Sequence, residues 1–199
     1  MLDLARACRA AGDKAAAAGA YRQLASNWKN AGSTIAAVRE ARAGGRYVSE
    51  MPKTLLHDAG RGPDVKRRVQ ALTSEMKPQW GKMSVDQMLH HVNIVLAESL
   101  GEHTATPNVR GLPEGLVRWA ILNMPWGKGA PTRPDMLIPE GQRYDFALEK
   151  QRCLTMIDRF LAKPMDDAWP RSANFSMTGR HWSQLQYKHL NHHLTQFSV

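Results

Sequence analysis

Cysteine is scarce in this chain of 199 residues: the only two, Cys8 and Cys153, lie far apart in sequence. Neither belongs to a Cys-x-x-Cys pair, so the sequence predicts neither a disulfide framework nor a zinc site built from thiolates. Long apolar runs are also missing. No stretch approaches the roughly 18 residues of a membrane span, and the first residues lack the apolar core of a signal peptide. We therefore expect a cytoplasmic protein with no membrane partner.

A nucleic-acid-binding motif is absent as well, although the chain carries a net charge of +9. The excess is spread out, because residues 1–50 hold eight basic against four acidic side chains and the remainder holds nineteen against fourteen. Short clusters such as Lys66-Arg67-Arg68 are not accompanied by a regular alternation of arginine with aromatic residues. The pattern indicates a diffusely basic surface, and we predict no nucleic-acid partner.

The composition changes near residue 50. Residues 1–46 are rich in alanine, and the stretch GDKAAAAGAY at 12–21 has the G-D-x-x-x-A-x-x-x-Y spacing of a tetratricopeptide-repeat helix. The segment resembles the tail of such an array, which implies a protein-interaction segment. About one repeat is present and stable arrays generally need at least three, so we expect residues 1–46 to be dispensable for the stability of the rest. Glycine, proline and polar residues in 47–62 predict a linker.

From residue 63 onward the spacing of apolar residues is helical, and no strand alternation is present. The pattern predicts four main helices, which cover residues 63–76, 85–100 (after Ser84 as N-cap and before Gly101), 144–162 and 179–197. The connection over 101–143 holds a shorter apolar helix at LPEGLVRWAILN. Four helices with one long crossover predict an all-α protein, with a four-helix bundle over residues 63–199.

Histidine is concentrated at two places, in the second predicted helix and in the segment HLNHHLTQF at 189–197. At about 100° per residue, His189 and His193 fall one turn apart within the apolar stripe of the last helix. His192 lies at the edge of that stripe. On the second helix, His91 lies at the margin of the apolar stripe, whereas His90 projects toward solvent. The helix geometry therefore predicts that His91, His189 and His193 converge inside the bundle.

Neutral imidazole is the commonest protein ligand for borderline divalent metals, and three ligands with an open position are typical of catalytic sites. An all-imidazole set suits Zn²⁺ and Ni²⁺. The alternative interpretation is that the inward histidines are ordinary core residues. We interpret His57, His103 and His181 as surface residues.

Two segments carry a resemblance to a known family. WGKMSVDQMLHHVNIVLAESLGE and HWSQLQYKHLNHHLTQF resemble the DinB-like superfamily of metalloenzymes, in particular a subgroup marked by W-G-K-M…Q-M-L-x-H and H-L-x-H-H-L-x-Q-F. The resemblance spans roughly residues 51–199. It implies a four-helix bundle with a long connection and one divalent metal held by His91, His189 and His193, the three residues that helix geometry also selects.

One segment departs from the subgroup. A His-Pro-x-Phe-Gly sequence usually precedes the last helix there, and this chain has Ser-Ala-Asn-Phe-Ser at 172–176. If the missing histidine contributes to catalysis, we expect this chain to bind metal but to have impaired catalytic activity.

The sequence also suggests roles for three other side chains. Glu98, about two turns after His91, is either a partner of that histidine or a solvated surface carboxylate, and the surface position is favoured. Trp182 either shapes the entrance to the site or belongs to the core. Cys153 is expected to be an inert core residue.

Two functions remain open. The resemblance implies a metal-dependent transferase or hydrolase, with a small-molecule substrate or a low-molecular-weight thiol as its partner; relatives in the superfamily include thiol-dependent S-transferases and isomerases. The alternative is a non-catalytic, metal-stabilised binding or sensing module whose N-terminal segment docks a partner. A homodimer is compatible with both.

Overall fold

The computed structural model describes residues 54–106, 113–128, 133–139, 141–173 and 175–199. Within these ranges the protein is all-α, as predicted, and has no strand beyond an isolated bridge between Ser172 and Phe175. Five α-helices and one short 3-10 helix (Pro134–Met136) make up the described secondary structure: α1 Arg61–Ala71, α2 Val85–Leu100, α3 Glu114–Asn123, α4 Phe146–Ala162 and α5 Gly179–Gln196. The predictions for residues 1–46 and for the linker up to residue 53 lie outside the described residues.

Local capping chemistry fixes the bounds of α2, which are the predicted ones. The side chain of Gln87 accepts a hydrogen bond from the Ser84 amide at 2.9 Å, which completes a capping box at the N-terminus. Gly101 ends the helix in the left-handed region at φ 81°, where a residue without a Cβ is favoured. At the start of α4, the Asp145 carboxylate accepts from the Leu148 amide, so this helix begins at Phe146 and not at residue 144.

Helix α1 is shorter than the apolar spacing predicted. It begins at Arg61, which places Pro63 in the first turn as expected, and it ends at Ala71. Leu72 follows with an extended ψ of 140°, so Met76 is not part of the helix. The spacing remained regular to Met76 because Met76 still packs against the core from the following loop.

Helix α5 contacts α1, α2 and α3. Helix α2 packs most extensively against α4, which also contacts α1. The core extends to Leu55 and Leu56, which are buried, and the Leu56 amide donates to the Ser183 carbonyl at 3.1 Å. Packed structure therefore begins before Pro63, inside the segment that the sequence assigned to a linker.

None of the helices in the described part of the chain is both long and apolar enough to cross a membrane.

Candidate metal centre

Three histidine rings meet where α2 and α5 face each other. The Nε2 atoms of His91 and His189 lie 3.0 Å apart, and each of the three residues offers a ring nitrogen within 4.8 Å of the other two. The ring centroids are 4.7 to 5.0 Å apart. Ligand nitrogens at about 2 Å from a common ion lie roughly 3 to 4 Å from one another. The nitrogens of His91 and His189 are at such a distance, and the three histidines together could hold a metal ion.

Burial controls the protonation of the cluster. His91 and His189 are 4% exposed and His193 is 7% exposed. Burial, with the nearby positive charge of Arg133 adding to it, lowers the pKa of His91 from 6.5 to about 4. Burial and the neighbouring rings lower the pKa of His193 to about 3 and that of His189 well below 6.5. All three rings are therefore neutral at pH 7, which is the form that offers a lone pair to a metal.

A hydrogen bond orients the ring of His193. Its Nδ1 lies 3.0 Å from Oε1 of Gln196, one turn further along α5. Because an amide oxygen only accepts, Nδ1 carries the proton and Nε2 keeps its lone pair. A donor bond from the second ring nitrogen commonly fixes the tautomer of a metal-ligating histidine in this way.

Gln196 is itself held by the loop before α2. Its side-chain Nε2 donates to the carbonyl of Trp80, and its own carbonyl accepts from the Gln79 amide at 2.7 Å. A Cβ on Gly81 would lie 2.5 Å from Nε2 of Gln196, and Gly81 also has φ +84°, so both the contact and the backbone favour glycine here. The W-G-K-M segment and the last-helix motif therefore meet at the residue that orients His193.

The other two rings lack such partners. The Nδ1 atoms of His91 and His189 are buried and make no hydrogen bond of ordinary geometry among the described residues, although the Met136 backbone is close enough to His91 to oppose the fall in its pKa. Buried polar atoms left without a partner cost stability. The nitrogens of His91 and His189 that face each other are their Nε2 atoms, so an ion bound there would not supply a partner for Nδ1, and the support for a metal site comes from the distances between the rings.

The preferred prediction for Glu98 is wrong, because this carboxylate is not on the surface. Glu98 is 2% exposed, and its two oxygens accept from the guanidinium of Arg133 at 2.7 and 3.1 Å. Oε1 also accepts from the Ala173 amide at 3.2 Å. The segments around Arg133 and Ala173 cover this face of α2, which helix periodicity alone could not show. The positive charge of Arg133, held in this position, contributes to the lowered pKa values of His91 and His189.

Two histidines beside the cluster are not members of it, as predicted. His90 does not project freely into solvent, however, since its ring stacks on Tyr144 with centroids 3.8 Å apart and its Nδ1 lies 2.9 Å from the Glu149 carboxylate. His192 turns toward two indole rings, those of Trp80 and Trp126, each with its centroid 6.0 Å away.

Trp182 is a core residue and does not shape an entrance to the cluster. It is fully buried, and its indole donates to the Pro170 carbonyl at 2.8 Å. The aromatic neighbour of the cluster is Trp126, with its ring centroid 5.8 Å from that of His189. Sequence reasoning missed Trp126 because it follows α3 within the long connection, where no periodicity assigns a direction to a side chain.

Of the remaining predictions, the one for Cys153 is confirmed and those for three histidines are not. Cys153 is fully buried, and burial raises its pKa to about 12, which confirms an inert thiol in the core. The surface interpretation fails for His57, which is half-buried, lies 2.8 Å from Ser183 Oγ through its Nδ1, and packs against Phe160. His103 and His181 are also partly buried.

Comparison of the chain with models of protein families, with curated proteins and with solved structures gives no match. The geometry of the three histidines is therefore the main support for a function.

Proposed function

We propose that the protein is a DinB-like four-helix-bundle protein that binds one divalent metal ion, Zn²⁺ or Ni²⁺, through His91, His189 and His193. One observation carries the proposal: three neutral, buried imidazoles present nitrogens within 4.8 Å of one another. The resemblance of the two sequence motifs supports the same three ligands. The all-nitrogen donor set suits both metals.

We further propose a metal-dependent transferase or hydrolase, with a small molecule or a low-molecular-weight thiol as substrate. A Zn²⁺-like ion with a free coordination position lowers the pKa of a bound thiol or water and so supplies a nucleophile at neutral pH. Two groups of residues would support the site. Gln196 keeps the Nε2 lone pair of His193 available for the ion. The ion pair of Glu98 with Arg133 holds the segment that covers α2 in place.

A second candidate is a metal-stabilised binding or sensing module without catalysis. The rings are only 4 to 7% exposed, and closed sites are typical of structural metals. Ser172, which occupies the position of the subgroup histidine, is itself buried, with its amide bonded to the Phe175 carbonyl at 3.0 Å. A serine hydroxyl at that position cannot replace an imidazole as a base near neutral pH.

Elemental analysis of the purified chain tests the metal site. We expect one divalent ion per chain and a severe loss of metal after His91→Ala, His189→Ala or His193→Ala, because two remaining ligands cannot enclose the ion. His90→Ala and His192→Ala are the matched controls, since both change a histidine adjacent to a ligand. Stoichiometric metal in the triple alanine variant would refute the site, and equal losses in the His90 and His91 variants would refute the assignment of the ligands.

Cobalt substitution distinguishes the two candidate functions. In the Co²⁺-loaded protein, the transferase proposal predicts a new charge-transfer absorption band when glutathione is added, because the thiol sulfur gains access to the ion. A spectrum that remains unchanged with glutathione, in a protein that holds stoichiometric cobalt, would favour the closed structural site. His193→Ala serves as the control because it should abolish cobalt uptake itself.

A further inference from the structure

A groove of about 510 Å³ lies beside the histidine cluster, and we call it the tryptophan groove. The side chains that matter for its chemistry are Trp80, Trp126, Tyr187, Lys128, Lys188 and His192. Trp126 forms the boundary with the cluster, since its ring centroid lies 5.8 Å from His189 and 6.0 Å from His192. The volume is in the range of about 300 to 1,000 Å³ that is usual for small-molecule sites.

The groove is cationic. Its lining includes Lys128 and Lys188 and no aspartate or glutamate, and neither lysine forms an ion pair with a carboxylate in the described part of the chain. Several other cationic side chains in the described ranges do have such partners; Arg133, for example, pairs with Glu98 and Asp135. Two positive charges without compensation inside one concave surface attract an anion.

Each lysine also covers an indole ring. The Nζ of Lys128 lies 5.0 Å from the centroid of Trp80, and the Nζ of Lys188 lies 4.6 Å from that of Trp126. Lys188 additionally donates to the carbonyls of Ile121 and Met124 at the end of α3, so two of its three protons are used and one is left for a ligand.

We propose that the tryptophan groove binds a small organic anion that carries a flat apolar group, with its carboxylate or phosphate between Lys128 and Lys188 and its apolar part against the indoles. If the proposed function holds, the groove retains the non-reacting end of the substrate beside the cluster. The apolar faces of Trp80 and Trp126 supply the contact area, and the two ammonium groups supply the preference for negative charge.

Calorimetric titration of the full-length, EDTA-treated protein tests the proposal with three probes. 2-Naphthoate and 2-naphthyl phosphate share an apolar group and differ in the anion, whereas 2-naphthamide is neutral. We expect saturable 1:1 binding of at least one anion, and binding of the amide weaker by about tenfold or more, as expected for loss of a charge-assisted hydrogen bond. The stronger of the two anions identifies the headgroup.

Lys128→Met should weaken binding of the preferred anion by about tenfold. The matched control is Lys163→Met, because Lys163 also lies over an indole, that of Trp169 at 4.7 Å, but outside the groove. The proposal is overturned if the amide binds as well as the anions, if Lys128→Met has no more effect than Lys163→Met, or if neither anion saturates. Because the protein is free of metal, these outcomes are independent of whether the histidines bind an ion.

Discussion

Acid should destabilise the metal-free protein well before the native histidine cluster takes up protons. In the unfolded chain, His91 and His193 titrate near pH 6.5, whereas in the native fold burial lowers their pKa values to about 4 and about 3. Between these values the unfolded chain binds more protons than the native protein, so the free energy of unfolding falls as the pH falls. From pH 7 to pH 5, each ring should remove about 2 kcal/mol of stability.

Urea unfolding of the EDTA-treated protein at pH 7, 6 and 5, followed by circular dichroism, measures this loss. His91→Gln removes one titrating ring, so the difference in unfolding free energy between pH 7 and pH 5 should shrink by about 2 kcal/mol. Leu190→Ala is the control: this buried leucine should cost about 2 to 5 kcal/mol, equally at each pH. A wild-type stability that does not change between pH 7 and 5, or a His91→Gln protein with the full pH dependence, would refute the reasoning.

Two further substitutions test the surroundings of the cluster. Gly81→Ala should lower both the Tm and the affinity for metal, because it places a Cβ at a residue with positive φ and against the side chain of Gln196. Gly60→Ala is the control: Gly60 has a similar φ of +79° but no atom within 4 Å of the added Cβ, so this change should lower only the Tm. Glu98→Gln should lower the free energy of unfolding by about 1.5 to 3 kcal/mol, because it weakens two charge-assisted hydrogen bonds at a buried site while Asp135 still pairs with the guanidinium. Glu102→Gln, which removes an exposed ion pair, should cost less than about 1 kcal/mol, and similar losses for the two glutamate variants would contradict this account.

The parts of the fold that were predictable from sequence depend on local chemistry. The bounds of α2 follow from Ser84 as N-cap and Gly101 as the left-handed C-cap, and both signals are contained within a few residues. The three histidines were predicted to converge because the phase of a helix follows from the spacing of its apolar residues. His91, His189 and His193 lie on the faces that α2 and α5 turn toward each other.

The predictions that failed concern side chains whose neighbours are distant in sequence. Glu98 is buried because Arg133, 35 residues later, returns to pair with it. Trp126 approaches the cluster from the long connection, and its position depends on how that connection crosses α5. Tertiary contacts of this kind leave no periodic pattern in the sequence. A side chain on a helix surface that another segment covers is therefore predicted, from periodicity alone, to be exposed to solvent.

The spacing of the candidate metal ligands along the chain has a consequence for folding. His91 and His189 are 98 residues apart, and yet their Nε2 atoms lie 3.0 Å apart in the native structure. An ion that bridges them acts as a reversible cross-link across a long loop, and the entropy of closing that loop grows only slowly with its length. Most of the described core lies inside this loop. Loss of the ion would therefore loosen the contact between α2 and α5 before the contact between α2 and α4, whose residues lie closer together in sequence.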